Sequence, residues 1–366
     1  MNKLVFANLL HRPLRSIISV LAVAIEVMMI LSIVGIFIGM LNDSKMRTNG
    51  VGADLMVLPS NASYFNGVSG AAMPVNDAIA LRRLPHVAVA APAIQHIQTS
   101  GSIEVIYGID YASFNALRPF VFLSGGPFRG PNDAIIDTVW ATAHHRGVGE
   151  NIEVLGQQFR VSGVVEPGKG GRILVPIDTM GELIGSAGKA SLFYVKADAP
   201  ANIPLVSREI KAVRGLENNE VLSMNDWLDQ MTPDRIPGFN IALNSVTGIA
   251  VVVGFLVIFQ SMYTAVLERT REIGILKSMG ASKPAIVGVV LRETAVLATA
   301  GVIVGLVGTV GVRALLLGVF PTQHFEVTAG WLAAGAAIAF VGALCGAIYP
   351  AWMAARKDPI DALAYE

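Results

Sequence analysis

Four long apolar runs set the pattern of this chain, and one long stretch of shorter, alternating apolar positions separates the first run from the other three. The runs cover residues 17–41, 241–267, 294–312 and 328–355, the third continuing past Arg313 to Phe320. Glu26 is the single charge in the first run, and the others hold none. A helix crosses a bilayer with roughly 20 consecutive apolar residues, so each run predicts a transmembrane helix. The first run is 25 residues long, against about 7–15 for the core of a signal peptide, and no small-residue cleavage pattern follows it. It predicts an anchored span.

The chain divides accordingly. Residues 1–16 form an amphipathic lead-in, where Phe6, Leu9, Leu10 and Leu14 alternate with Asn8, His11 and Arg12, a pattern suited to a membrane surface. Spans at 17–41, 240–267, 294–320 and 328–355 are joined by 42–239, by 268–293 and by a short loop at 321–327, and 356–366 form a tail. Within 42–239, runs at 54–58, 87–91, 104–107, 152–155, 160–165 and 192–196 predict strands, while 75–83, 137–145 and 203–213 carry helical periodicity. Residues 147–165 predict a hairpin, and Gly125-Gly126-Pro127 and Gly168-Lys169-Gly170-Gly171 predict turns. The expected fold is an α-helical membrane protein: four spans plus an inserted α+β domain, in one or two lobes, long enough for its own core.

Lysine and arginine set the orientation. Lys3, Arg12 and Arg15 precede the first span, Arg269, Arg271, Lys277, Lys283 and Arg292 lie between the second and third, and Arg356 and Lys357 follow the fourth. Loop 321–327 has neither residue. Both termini and the 268–293 segment are therefore expected in the cytoplasm and 42–239 outside, since long domains cross regardless of charge. Composition agrees: a mean hydropathy of +0.57, 53% hydrophobic, 15% charged and zero net charge, which gives nucleic acid no basic field to follow. Cys345 is the one cysteine, so no intrachain disulfide supports the external domain, and the residue suits a small apolar position in a membrane helix.

The sharpest signal is the string Glu268-Arg269-Thr270-Arg271-Glu272-Ile273-Gly274-Ile275-Leu276-Lys277-Ser278-Met279-Gly280-Ala281-Ser282. It continues the second span as helix. Glu268, Arg271 and Glu272 share a face by spacing, Ile273, Leu276 and Met279 make an apolar stripe, and Gly280 ends the helix. A charged helix with an apolar stripe just beneath the membrane suits docking to a cytoplasmic protein.

This string resembles the coupling-helix signature of the FtsX/MacB/LolC permease superfamily. The segment 349–363, with Tyr349-Pro350-Ala351, Asp358-Pro359 and Ala362-Leu363, is similar to the family's C-terminal motif, and 7–15 is similar to its N-terminal lead. Val161-Ser162-Gly163-Val164-Val165 and Val175-Pro176 resemble the MacB-like periplasmic core domain. The resemblance implies a permease-only, non-catalytic subunit of an ABC transporter in the bacterial inner membrane. It would pair as a homodimer, or as a heterodimer with a paralogous permease. A separate cytoplasmic ATPase, holding ATP and Mg, would move the external domain by mechanotransmission. A periplasmic adaptor and membrane lipids are further partners it allows. On this chain Glu268, Arg269, Thr270, Arg271, Glu272, Ile273, Gly274, Leu276, Lys277, Met279, Gly280 and Ala281 would contact the ATPase. MacB itself carries a fused ATPase. Here no G-x-x-x-x-G-K-[ST] is present, and Gly168-Lys169-Gly170-Gly171 fails its spacing.

Glu26 lies roughly 13 Å into the first span at 1.5 Å per residue, and an ionisable group at that depth is a functional candidate. With Met29 on the same face, one reading is contact with an amphipathic substrate or a haem iron. The other is a structural bond to Gln260 or Ser261 on the second span. Gly35 with Gly39, Gly301 with Gly305 and Gly342 with Gly346 provide close-packing pairs. His144 and His145 are adjacent, so on a helix they diverge by about 100° and read as a surface pair rather than a metal site. No catalytic constellation is visible. The expected function is export or extraction of a hydrophobic or amphipathic cargo: drug, haem, glycolipid or lipoprotein. The alternative is an FtsX-like signal transmitter that controls cell-wall hydrolases.

Overall fold

The computed structural model describes residues 13–60, 73–98, 104–233, 235 and 238–357; the lead-in before Pro13 and the Asp358–Leu363 motif lie outside them. In chain order the elements are α1 (Pro13–Asn49), β1 (Leu55–Leu58), β2 (Met73–Pro74), α2 (Asp77–Arg82), β3 (Val87–Gln98), β4 (Glu104–Ile109), α3 (Tyr111–Leu117), β5 (Phe122–Gly125), β6 (Asp133–Asp137) and α4 (Thr138–His144). There follow β7 (Asn151–Val154), β8 (Gln157–Val165), β9 (Ile173–Pro176), α5 (Ile177–Leu183), β10 (Lys189–Ala190), β11 (Leu192–Ala197), α6 (Ile203–Lys211), β12 (Glu220–Ser223) and α7 (Met224–Gln230). The chain closes with α8 (Phe239–Glu268), α9 (Thr270–Ser278), α10 (Lys283–Val319) and α11 (Ala329–Arg356). Two compact units result: a helical one from residues up to Gly39, Gly238–Val319 and Gln323 onward, and a sheet domain from Met40–Pro237 with Phe320–Thr322.

In the helical unit, α1, α8, α10 and α11 are each long and apolar enough to cross a membrane. On α1 the buried positions Val23, Val27, Ile30, Leu31 and Val34 form one stripe, the i, i+4, i+7 spacing of a helix face. The glycine pairs seat neighbouring helices within this chain. A Cβ at Gly301 or Gly305 would lie 2.6 or 2.7 Å from the Cβ of Val23 or Val27, and one at Gly346 would lie 2.8 Å from Phe255 O. Gly35 and Gly39 admit Phe325 and His324. Cys345 is exposed on α11.

The sheet domain holds a ten-stranded mixed sheet in the order β12-β1-β11-β3-β4-β9-β6-β8-β5, with β7 paired to β8 and the β4–β9 and β6–β8 pairs parallel. Both faces are covered at one end. Leu55 and Val57 of β1 pack with Leu81 and Ile210 from α2 and α6, while Met56 and Leu58 face Phe114 and Trp227 from α3 and α7. Burial on both faces is what a near-continuous apolar strand requires. The expected hairpin is present as β7–β8, antiparallel from Asn151↔Arg160 to Val154↔Gln157.

Candidate functional site

The coupling string does not continue the second span as one helix. Helix α8 ends at Glu268, and Arg269 (φ −108°, ψ 16°) separates it from α9. Beside the break, Thr270 Oγ1 donates to Val266 O at 3.2 Å and to Leu267 O at 2.7 Å. Those bonds satisfy two of the carbonyls that the last turn of α8 leaves open. Glu268 and Glu272 fall on opposite sides of this break, so the i, i+4 argument for a shared face fails. The other end of α9 is as expected. Gly280 has φ +92°, and its N–H bonds Lys277 O while that of Ala281 bonds Leu276 O, the paired closure of a glycine-ended helix.

The structure splits the predicted contact residues into two sets. One set, buried or ion-paired, ties the end of α8 and α9 to the rest of the helical unit. Arg269 Nη1 meets Glu293 Oε2 at 3.0 Å, Arg15 Nη1 meets Glu268 Oε2 at 3.2 Å, and Arg15 Nη2 lies 3.6 Å from Glu293 Oε1. Lys277 Nζ donates to Ala355 O at 3.1 Å and Lys357 O at 2.5 Å. It thereby caps carbonyls at the end of α11 with a cation, where both hydrogen bonding and the helix dipole favour one. Thr270, Ile273 and Gly274 are buried, and Leu276 and Ala281 half-buried. A mostly apolar cavity of about 180 Å³ lies among α8, α9 and α10, lined by Met262, Val266, Ile273, Leu276, Ile286 and Val290. The other set points out. Arg271, Glu272, Met279 and Gly280 are exposed, together with Ile275 and Ser278, and Met279 is 72% exposed.

Glu26 is 3% exposed, and neither carboxylate oxygen has a hydrogen-bond partner. It does face α8, but at Gly254, where a Cβ would have no room beside Oε2; Gly342 of α11 is the next wall. The expected partners are otherwise placed: Gln260 is exposed, and Ser261 Oγ bonds Ser19 Oγ at 2.6 Å. Met29 is half-buried on the same helix. In the sheet domain, His144 stacks on Trp140 at 4.1 Å, and its Nε2 lies 3.6 Å from Glu104. Among the described residues no group of three potential metal ligands occurs.

Four membrane-length helices, a short helix with one tied and one open face, and a large sheet domain inserted after the first span define a membrane permease with an appended domain. Residues 16–213 match the MacB-like periplasmic core domain, and 244–359 match the FtsX-like permease C-terminal region. The chain belongs to this MacB/FtsX-like family of ABC-type permeases. It is 27% identical to a macrolide export ATP-binding/permease protein MacB of Nitrobacter winogradskyi, over 98% of this chain and 59% of that protein. It is 26% identical to a pyoverdine export ATP-binding/permease protein PvdT of Pseudomonas savastanoi pv. phaseolicola, over 92% and 57%. The chain thus spans about three-fifths of the length of these curated relatives. The crystal structure of the periplasmic region of MacB from Actinobacillus actinomycetemcomitans aligns at 15% identity, with a TM-score of 0.39, over 48% of this chain and 92% of that one.

Proposed function

We propose that this chain is the membrane subunit of an ABC-type exporter in the bacterial inner membrane, with both termini and α9 in the cytoplasm. An ATPase partner, carrying ATP and Mg, docks on the exposed face formed by Arg271, Glu272, Ile275 and Met279. Its closure shifts α9, and through the spans the sheet domain outside the membrane. The observation that carries this reading is the division of α9. Arg269 and Lys277 fasten the helix to its own unit, while an exposed methionine and isoleucine sit beside charges of both signs. Exposed apolar side chains rimmed by charge mark interaction surfaces, and the fastened side lets a push on the open side move the bundle as a body. The relatives named for macrolide and pyoverdine export support a small amphipathic cargo. A second copy of the chain, or a paralogue, completes the complex, and an adaptor outside the membrane receives the cargo.

The docking assignment is tested by placing a photo-crosslinking amino acid at Met279 in the full chain and identifying what it captures in membranes. Capture of an ATP-binding cassette protein, lost on adding Arg271→Glu, is the expected result. Capture of lipid alone removes the assignment.

A further inference from the structure

Gly168-Lys169-Gly170-Gly171 reads as a glycine turn in the sequence, yet in the sheet domain this turn and the Arg172 that follows it grip the end of a membrane-length helix. Helix α1 is one unbroken helix of 37 residues, and its last turns belong to the sheet domain. There the segment closes on it from several directions. Gly50, just past the helix, lies so close to Gly168 O that any Cβ at residue 50 is excluded. Gly170 N–H donates to Arg47 O at 2.9 Å, and Arg47 Nη1 returns a bond to Gly170 O at 2.8 Å. Lys169 Nζ bonds Arg118 O and sits 4.7 Å over the Phe120 ring. A Cβ at Gly170 or Gly171 would come within 2.7 Å of the buried Tyr107 ring of β4, so the segment rests directly on the domain core.

Arg172 gathers these parts. Its Nη2 reaches Asp43 Oδ1 of α1 at 2.9 Å and Thr322 O, in the loop joining α10 to α11, at 3.2 Å. Its Nη1 reaches Asp137 Oδ2 at 3.1 Å. Asp137 also caps α4 through Trp140 N at 2.7 Å. Asp43, Asp137 and Arg172 are all at least nine-tenths buried. A planar guanidinium bound by three acceptors fixes their relative positions in a way that a lysine cannot. Asp137 is held above the usual carboxylate range by burial, against the pull of Arg172. A site meant only to stabilise the sheet has no need to recruit a span's end and the loop between two others.

We infer that Gly168–Arg172 is the joint through which the end of α1 and the α10–α11 loop drive the sheet domain, with Arg172 as its positioning residue. The inference rests on the ATP-driven reading above. It is tested with the full chain, co-purified with its ATP-binding partner, by hydrogen–deuterium exchange with and without Mg-ATP and vanadate. In the natural chain, nucleotide is expected to change exchange both in α9 and in 168–176. In Arg172→Met, and independently in Gly50→Ala, the change in 168–176 is expected to be lost while the α9 response remains. Arg172→Lys should recover part of it. Exchange in β3, β4 and β11 without nucleotide must match the natural chain, which separates uncoupling from loss of fold; a variant that differs there is replaced by Asp43→Asn. If the 168–176 response persists in these variants, or is missing in the natural chain while α9 responds, the joint is refuted. If α9 itself is unresponsive, the ATP-driven reading fails instead.

Discussion

Substituting Glu293 by glutamine removes the carboxylate that holds two guanidinium groups at the foot of the helical unit. Its side chain is 4% exposed, and its partners Arg269 and Arg15 are 12% and 16% exposed. Taking one partner from a buried ion pair costs about 3–5 kcal/mol, chiefly because the remaining charge is left uncompensated. The low end applies here. Both arginines retain some water, Arg15 keeps Glu268, and the new amide oxygen still accepts one hydrogen bond. At about 2–4 °C per kcal/mol, a loss of about 3 kcal/mol lowers the melting midpoint by about 6–12 °C. Glu268→Gln is the matched control: it removes a carboxylate from the same cluster, but one that is 43% exposed, where a pair contributes only about 0–1 kcal/mol. Melting of detergent-solubilised chain, followed by tryptophan fluorescence in a Trp140→Phe, Trp227→Phe background so that Trp331 and Trp352 on α11 report, separates the two. If both variants melt alike, burial is not what sets the strength of this cluster, and the reasoning is wrong.

Gly346→Leu should destabilise by about 1–3 kcal/mol through overpacking, since its Cβ would meet Phe255 O at 2.8 Å, whereas Gly311→Leu, with open space around it, should be near neutral in the same melt. Lys277→Met removes two charge-assisted bonds of about 1.5–3 kcal/mol in gross strength and should speed amide exchange at the end of α11 while leaving α1 unchanged. The Lys169 ammonium is held down to about 8 by burial, and secondarily by the charge of Arg118. Between about pH 8 and its ordinary value the unfolded chain therefore binds the proton that the native chain releases, and stability rises with pH across that window. A melting midpoint of the sheet domain that climbs in the natural chain but not in Lys169→Met is the expected result; parallel curves for the two would contradict it.

The four spans were legible because runs of uncharged residues leave few alternatives in hydropathy, and β7–β8 because its alternation and turns are local. Gly280 was legible for the same reason: a glycine after an apolar stripe has one common use. The break at Arg269 was not, because the apolar and charged spacing runs through it without interruption. Nor was the buried or ion-paired set. Arg15 and Glu268 are 253 positions apart and Lys277 and Ala355 are 78 apart, and only tertiary packing makes them neighbours. Glu293 sits one residue before the apolar run used to mark the third span, and nothing in its spacing marks it as the centre of a buried cluster. Gly168–Arg172 shows the same limit: glycines announce that backbone approaches something closely, not what it approaches. For Glu26, spacing pointed to α8 correctly but chose hydrogen-bonding residues, whereas α8 offers it the space at Gly254.

Sidedness tests the central claim most directly, because a helix that takes up a cytoplasmic ATPase's motion must lie across the membrane from the domain that it moves. In a Cys345→Ser background, Met279→Cys on the loop after α9 and Leu123→Cys on exposed β5 can each be probed with a membrane-impermeant maleimide. The account predicts labelling at 123 in intact cells, and labelling at 279 only once the membrane is opened. Equal labelling of both in intact cells would contradict it.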